Sequence, residues 1–328
     1  MQNLLDPAIL FFVFGVLAGA VKSNLEIPQP ISRFLSLYLL MALGLKGGFA
    51  LAQSGLTLQV VTSLGCAVLL AIVIPAAGYQ VLKRFLSGFD AAAIAATYGS
   101  VSAVTFITSV QYMDRNGFAY GGHMAAAMAL MESPAIIMAV VFANSLRQQQ
   151  TAHGNAPTPH PVPAHMPMGK VLHESFTDGA QLLLLGAMLV GLLTGEAGKA
   201  AMAPFSVDLF KGMLAFFLLD MGLLAARNLP EVRGKSPWLI AYAALGPLVH
   251  AALALAIAWA LGVPAGDAAL LMVLAASASY IAVPAVLRYA IPEANPSLYF
   301  GLSLGVTFPL NILLGIPLYV SVAQAVLA

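Results

Sequence analysis

Two short clusters of small polar residues interrupt an otherwise apolar chain. The first runs Thr97-Tyr98-Gly99-Ser100-Val101-Ser102 and continues to Thr105; the second is Ser277-Ala278-Ser279-Tyr280. Hydroxyls and open backbone amides can hold a small oxyanion without any arginine. That chemistry needs the helix to be interrupted at the cluster. Gly99 weakens a helix at the first cluster. Pro284, just past the second, removes a backbone donor and frees the carbonyl one turn earlier. Each break leaves a half-helix N-terminus whose unpaired N–H groups carry partial positive charge. Serine and glycine also let membrane helices pack closely, so one serine alone says little. The recurrence of Ser-x-Ser in both clusters favours binding. The residues expected to hold the anion are Tyr98, Gly99, Ser100, Val101, Ser102, Ser277, Ala278, Ser279 and Tyr280.

A carboxylate in an apolar segment is costly and is a functional candidate by default. Glu132 sits in ALMESPAII, before Pro134, and its second-half counterpart is GVTFPLNIL with Pro309 and Asn311. Glu132, Asn311, Thr105 and Thr307 offer oxygen ligands suited to sodium, or a place for a proton. The plainer reading of Glu132 is a protonated acid or a polar contact locking two helices. Asp220 faces the membrane edge or pairs with Lys46, and His250 reads as a hydrogen bonder between helices rather than a proton relay. Asp90 and Asp267 each open a span and read as first-turn acids complementing a helix dipole.

The elements that position these residues must lie in lipid. The chain has 328 residues, 60% hydrophobic and 8% charged, against about 25% charged in soluble domains. A bilayer crossing takes roughly 20 mostly apolar residues. Ten such segments are expected, near 7–21, 31–52, 57–82, 90–112, 118–145, 177–194, 204–226, 237–261, 267–290 and 297–325. The N-terminus lacks a basic leader region, so the first segment reads as a span rather than a cleaved signal. A net charge of +1 suggests no nucleic-acid partner, and the single Cys66 reads as a buried hydrophobe. No phosphate loop, HExxH or GxSxG in context points to an enzyme.

Residues 147–173 turn polar and proline-rich and read as a flexible linker. Its His153, His160 and His165 follow no helical or strand period, which favours a solvated linker over a metal site. The linker separates a first half, 1–146, from a second, 174–328. An offset of 177 places Asp90 on Asp267, Ser100 on Ser277 and Ser102 on Ser279; an offset of 178 places Gly44 on Gly222. Gly15 is matched with Gly186 in the first spans, and Tyr120-Gly121-Gly122 with Tyr299-Phe300-Gly301. Five spans per copy is an odd number, so the second copy inserts upside down. The expected fold is an all-α polytopic membrane protein of ten transmembrane helices in two inverted five-helix repeats, with broken, crossing fourth and ninth helices. That is a common plan of secondary transporters. With the N-terminus outside, ten lysines and arginines fall on the cytoplasmic side and four (Lys46, Arg115, Lys199, Lys211) outside. Both termini are then periplasmic and the linker cytoplasmic.

Four stretches carry a family likeness: 24–51, TYGSVSAVTFITS at 97–109, MAAAMALMESPAIIMAV at 124–140, and 277–312. Their order resembles the sodium-dependent bicarbonate transporter family of the cyanobacterial SbtA type, over most of the chain. The resemblance implies core and gate domains, a homotrimer, and sodium as coupling ion. It implies a bacterial plasma-membrane symporter importing bicarbonate by alternating access, with the anion held at Gly99–Ser102 and Ser277–Tyr280. A soluble cytoplasmic PII-like regulator is a further implied partner. The alternatives are a transporter of another small anion, driven by sodium or protons, and a membrane sensor or anchor that recruits a soluble partner.

Overall fold

The computed structural model describes residues 6–55, 57–152, 169, 173, 177, 179–232 and 234–327. Most of the linker, with His153, His160 and His165, lies outside the described residues. Among the described residues every regular element is helical. In chain order they are α1 (Pro7–Ala20), α2 (Gln29–Ser54), α3 (Leu58–Leu82), α4 (Gly88–Gly99), α5 (Ala103–Arg115) and α6 (Met124–Ala152). After the linker come α7 (Gly179–Ala203), α8 (Phe210–Asn228), α9 (Pro237–Ala260), α10 (Ala265–Ala276), α11 (Ala282–Ala290) and the composite α12 (Pro296–Leu327). Seven helical stretches are long and apolar enough to cross a bilayer, so this is a polytopic membrane protein.

Two helix groups make up the molecule. In the first, α1 packs along α8 and α2 along α7. Glycines bring these backbones into contact: a Cβ on Gly15 would lie 3.1 Å from the Gly222 Cα, and one on Gly48 would lie 2.9 Å from the Gly191 Cα. Small residues permit this approach, which supplies the dispersion contacts that replace a hydrophobic driving force in lipid. Gly186, the sequence match of Gly15, has open space beside it, and Gly191 takes the tight contact instead. In the second group α3, α4 and α6 pack on one another, and α10 packs on α9 and on the last turns of α12. α4 and α10 are short, alanine-rich and buried on nearly all sides. A helix that is apolar all round belongs in an interior, and these two form the centre of this group.

Three elements depart from the expected spans for local reasons. The fifth span begins at Met124 rather than 118, because 117–123 forms a loop. Gly117 sits there at φ 71°, and Gly122 comes so near α2 that a Cβ would lie 2.6 Å from the Gly47 carbonyl oxygen. The expected loop at 195–203 is helical, with a kink at Gly195 (φ 53°, ψ −138°). α12 widens into π turns at Ser303–Thr307 and Asn311–Gly315. Pro309 and Pro317 each follow one of these turns and remove the donor for the carbonyl four residues back.

Asp90 and Asp267 do lie in first turns. Asp90 also accepts from the Asn295 N–H at 2.8 Å, and Asp267 from the Gly121 N–H at 2.6 Å. Each aspartate therefore holds the segment that leads into the last helix of the opposite half. His123 Nε2, 3.1 Å away, Ser63 Oγ, 3.3 Å away, and Gln59 Nε2, 3.4 Å away, also face Asp267.

Overpacking typically costs about 1–3 kcal/mol. Gly48→Ala is expected to lower the thermal unfolding midpoint in detergent by several degrees, while Gly186→Ala leaves it unchanged. Equal midpoints for the two variants would show that the α2–α7 contact is not tight.

Candidate functional site

α4 stops where Ser100 turns extended (φ −93°, ψ −174°), and the chain becomes helical again after Ser102. Ser102 caps α5, its Oγ accepting from the Thr105 N–H at 3.2 Å and from Thr105 Oγ1 at 3.0 Å. α10 stops likewise at Ser277 (φ −83°, ψ 166°), and α11 begins at Ala282. Pro284 falls in the first turn of α11, where its missing N–H has no helical partner to lose.

The two breaks cross and satisfy each other. The Ser279 N–H donates to the Thr97 carbonyl at 2.8 Å. The Ser102 N–H donates to Ser277 Oγ at 2.9 Å, and Ser277 Oγ donates to the Leu274 carbonyl at 2.8 Å. Ser279 Oγ accepts from the Val283 N–H at 3.3 Å. Ser100 Oγ is buried with no hydrogen-bond partner among the described residues. The glycine between them has a packing reason: a Cβ on Gly99 would lie 2.6 Å from the Pro75 ring of α3.

Beside the crossing lies a cavity of about 70 Å³. That is room for about two waters at ~30 Å³ each, the size class of a small planar oxyanion. The broken segments contribute Val101, Ser102, Ser279 and Tyr280 to its wall, and α6 contributes Glu132. The facing wall comes from the first helix group: Ser36 and Leu40 of α2, and Gln181 of α7. Of the nine residues expected at the anion site, four line this cavity. Gly99, Ser100, Ser277 and Ala278 belong to the crossing behind it. Tyr98 turns away, its hydroxyl 2.6 Å from Thr307 Oγ1. Since Thr307 Oγ1 donates to the Ala243 carbonyl at 2.7 Å, Tyr98 is the donor in that pair.

The four residues expected at the cation do not share one set of contacts. Glu132 Oε2 accepts from Gln181 Nε2 at 2.8 Å. Thr105 turns to Ser102. Thr307 and Asn311 form a separate polar face of α12. Asn311 Nδ2 donates to the Ala276 carbonyl at 2.8 Å, at the end of α10, and Asn311 Oδ1 accepts from Tyr319 at 3.0 Å. Glu132 therefore lines the cavity beside the crossing, while Thr307 and Asn311 brace the broken helices from behind.

Lys46 and Asp220 settle differently from expectation. Lys46 pairs with Asp114 of α5, and Asp220 accepts a hydrogen bond from Ser32. The Lys46–Asp220 pair is therefore not made; α5 brings a carboxylate to Lys46 first. Arg115 pairs with Asp6. Both ion pairs tie the first helix group to α5. His250 reaches the backbone of Ala275 and sits edge-on to Tyr98 and Tyr242. Among the described residues no cluster of three metal-ligating side chains occurs.

Sequence reasoning passes over Ser36 and Gln181. Gln181 had a signal: it is the one polar side chain at the head of QLLLLGAMLVGLL.

Residues 7–324 match the family model described as the Na+-dependent bicarbonate transporter superfamily. No curated protein matches the chain.

Losing a buried hydrogen bond while its partner stays buried costs roughly 1–3 kcal/mol. Asn311→Leu strips the Ala276 carbonyl and Tyr319 of their partners and is expected to destabilise the protein more than Ser102→Ala does. Thermal unfolding of the purified variants checks the order. A smaller loss for Asn311→Leu would remove its bracing role.

Proposed function

We propose, from the premise that this chain belongs to the Na+-dependent bicarbonate transporter superfamily, that it imports bicarbonate by sodium-coupled symport with alternating access. The observation that carries this reading is the cavity at the crossing of two broken helices, walled by Ser102, Ser279, Tyr280 and Glu132. Bicarbonate would take the hydroxyls of Ser102 and Ser279 and the end of α5. Sodium would take Glu132, with Thr105 close behind the same break.

Glu132 makes the order of events physical. A carboxylate beside this cavity repels a bare anion. A cation bound to it reverses the sign of that interaction. Unit charges about 5 Å apart at an effective dielectric near 20 attract by roughly 3 kcal/mol. That difference ties anion affinity to cation occupancy, which is what symport requires. A proton on Glu132 would remove the repulsion but add no attraction, so sodium is the stronger candidate. Thr307 and Asn311 are proposed as a second cation position or as a brace for the crossing.

The proposed architecture is two inverted five-helix repeats, giving ten spans. The crosswise pairing of α1 with α8 and α2 with α7 supports it, as do the matched roles of Asp90 and Asp267. The α1–α2–α7–α8 group would act as the gate and the rest as the moving core. With the N-terminus outside, Gln181 and Ser36 lie near the cytoplasmic ends of their helices. The cavity would then open inward, with Lys46–Asp114 and Arg115–Asp6 closing the outer side. A bacterial plasma membrane, a homotrimer and a cytoplasmic PII-like partner remain parts of this proposal that rest on the family resemblance.

Uptake of labelled bicarbonate into liposomes holding the purified protein tests the reading. An inward sodium gradient is expected to drive accumulation, and a potassium gradient is not. Ser102→Ala combined with Ser279→Ala is expected to cut uptake at least tenfold, since each hydroxyl bond to a charged group is worth about 1.5–3 kcal/mol. Uptake unchanged in a monodisperse double mutant would move the anion site elsewhere.

A further inference from the structure

The two walls of the cavity have unequal chemistry. The core wall carries the hydroxyls and Glu132. The gate wall is mostly apolar, and Gln181 on it bonds across the seam. Gln181 is nearly buried, at 7% exposure. Its Nε2 donates to Glu132 Oε2 at 2.8 Å, and its Oε1 accepts from Ser133 Oγ at 3.5 Å. One amide on α7 thus grips two successive residues on α6.

A symporter alternates between a loaded crossing and an unloaded return. On the loaded crossing a cation compensates Glu132. On the return the cation has left, and the carboxylate must still be satisfied as the seam closes around it. A buried carboxylate without a donor is strongly penalised. An amide N–H presents the positive end of a dipole to it with no net charge. Because this donor comes from the opposite wall, closing the seam is what delivers it to Glu132.

We propose that Gln181 stands in for the coupling cation at Glu132 while the carrier returns unloaded. The inference rests on the reading of Glu132 as a cation ligand. It makes Gln181 a positioning residue for one step of the cycle, and gives the gate a chemical sense of whether the core is loaded. A side chain of the same length at 181 with the amide removed should leave the loaded crossing largely intact and slow the return.

Two transport modes on the full-length protein in liposomes separate these steps. Net uptake of labelled bicarbonate into bicarbonate-free liposomes, driven by inward sodium, needs the unloaded return in every cycle. Exchange of labelled for unlabelled bicarbonate, with equal sodium on both sides, cycles the loaded carrier alone. Gln181→Met keeps the length and loses the donor. Losing a hydrogen bond to a charged group predicts a fall in net uptake of about tenfold or more, with exchange falling by less than about threefold. Gln181→Asn keeps an amide but is one methylene too short to reach Glu132, and is expected to show the same split. It decides the matter should the methionine variant fail to fold. Equal losses in both modes, or no loss in either, would overturn the inference. Glu132→Gln distinguishes this failure from failure of the underlying reading. Sodium-dependent uptake that survives Glu132→Gln removes the cation site itself, whereas its loss together with an unsplit Gln181→Met removes only the role of Gln181.

Discussion

Backbone groups in a hydrocarbon layer have no water to turn to, so any helix broken inside it must find protein partners for what the break exposes. This constraint organises the whole molecule. α4 and α10 each end in the interior, at Gly99 and Ala276. Neither break could exist alone. The Thr97 carbonyl left by one accepts the Ser279 N–H left by the other. The Ser102 N–H is taken by Ser277 Oγ. The Ala276 carbonyl is taken by Asn311. Each polar cluster is therefore a repair. The repair dictates that the broken ends of α4 and α10 meet, that both helices be buried on nearly all sides, and that their residues be small enough to allow it.

The same constraint explains the division of labour among the helices. A segment that carries a crossing of broken backbone cannot deform without exposing unsatisfied groups, so it must act as a rigid body. Bracing supports this: Asp90 and Asp267 fasten the loops that lead into α12 and α6, and Arg147 binds Glu293 at 2.8 Å. Among the described residues the other helix group has no such interior breaks. Its glycine-on-glycine contacts at Gly15–Gly222 and Gly48–Gly191 hold it together independently. Between the two groups the polar ties are fewer and exchangeable: Lys46–Asp114, Arg115–Asp6 and Gln181–Glu132. Relative motion is cheapest along that seam, because ion pairs and side-chain amides can re-form with other partners while backbone bonds at the crossing cannot.

The sequence makes one class of these features legible and hides another. The breaks at Ser100–Ser102 and Ser277–Tyr280 can be read because glycine, serine and proline inside an apolar run change the local backbone preference. Elements such as α3 and α9 are legible from length and hydropathy alone. The cation residues are harder. Thr307 and Asn311 are four apart and share one helix face, so they stay together, but that face meets Tyr98, Ala243 and Ala276 rather than Glu132. Gln181 and Glu132 lie on different helices and in different halves of the chain, and nothing in the period of either helix signals their meeting. Lys46 and Asp220 failed as a pair for the same reason: apparent symmetry of position does not say which neighbour arrives first. Local interruption is written in residue type, whereas contact across a seam is decided by helix rotation.

The proposed site has no arginine or lysine among its described lining residues, and transport gives that a reason. Hydrogen bonds from a charged donor are about twice as strong as neutral ones, and a bidentate arginine would hold a carboxylate-like anion in either conformation. It would also carry its own charge through the apolar interior on the unloaded return, where a buried ion without a partner is costly. In the proposed cycle Ser102, Ser279 and the end of α5 would bind the anion weakly by themselves. Positive charge would come from a diffusible ion at Glu132 instead. The attraction would then arrive with the cation and depart with it, so the anion would be held while the carrier is loaded and released once the cation leaves. A fixed charge could provide affinity, but only a removable one can make that affinity depend on which side of the membrane the cavity faces.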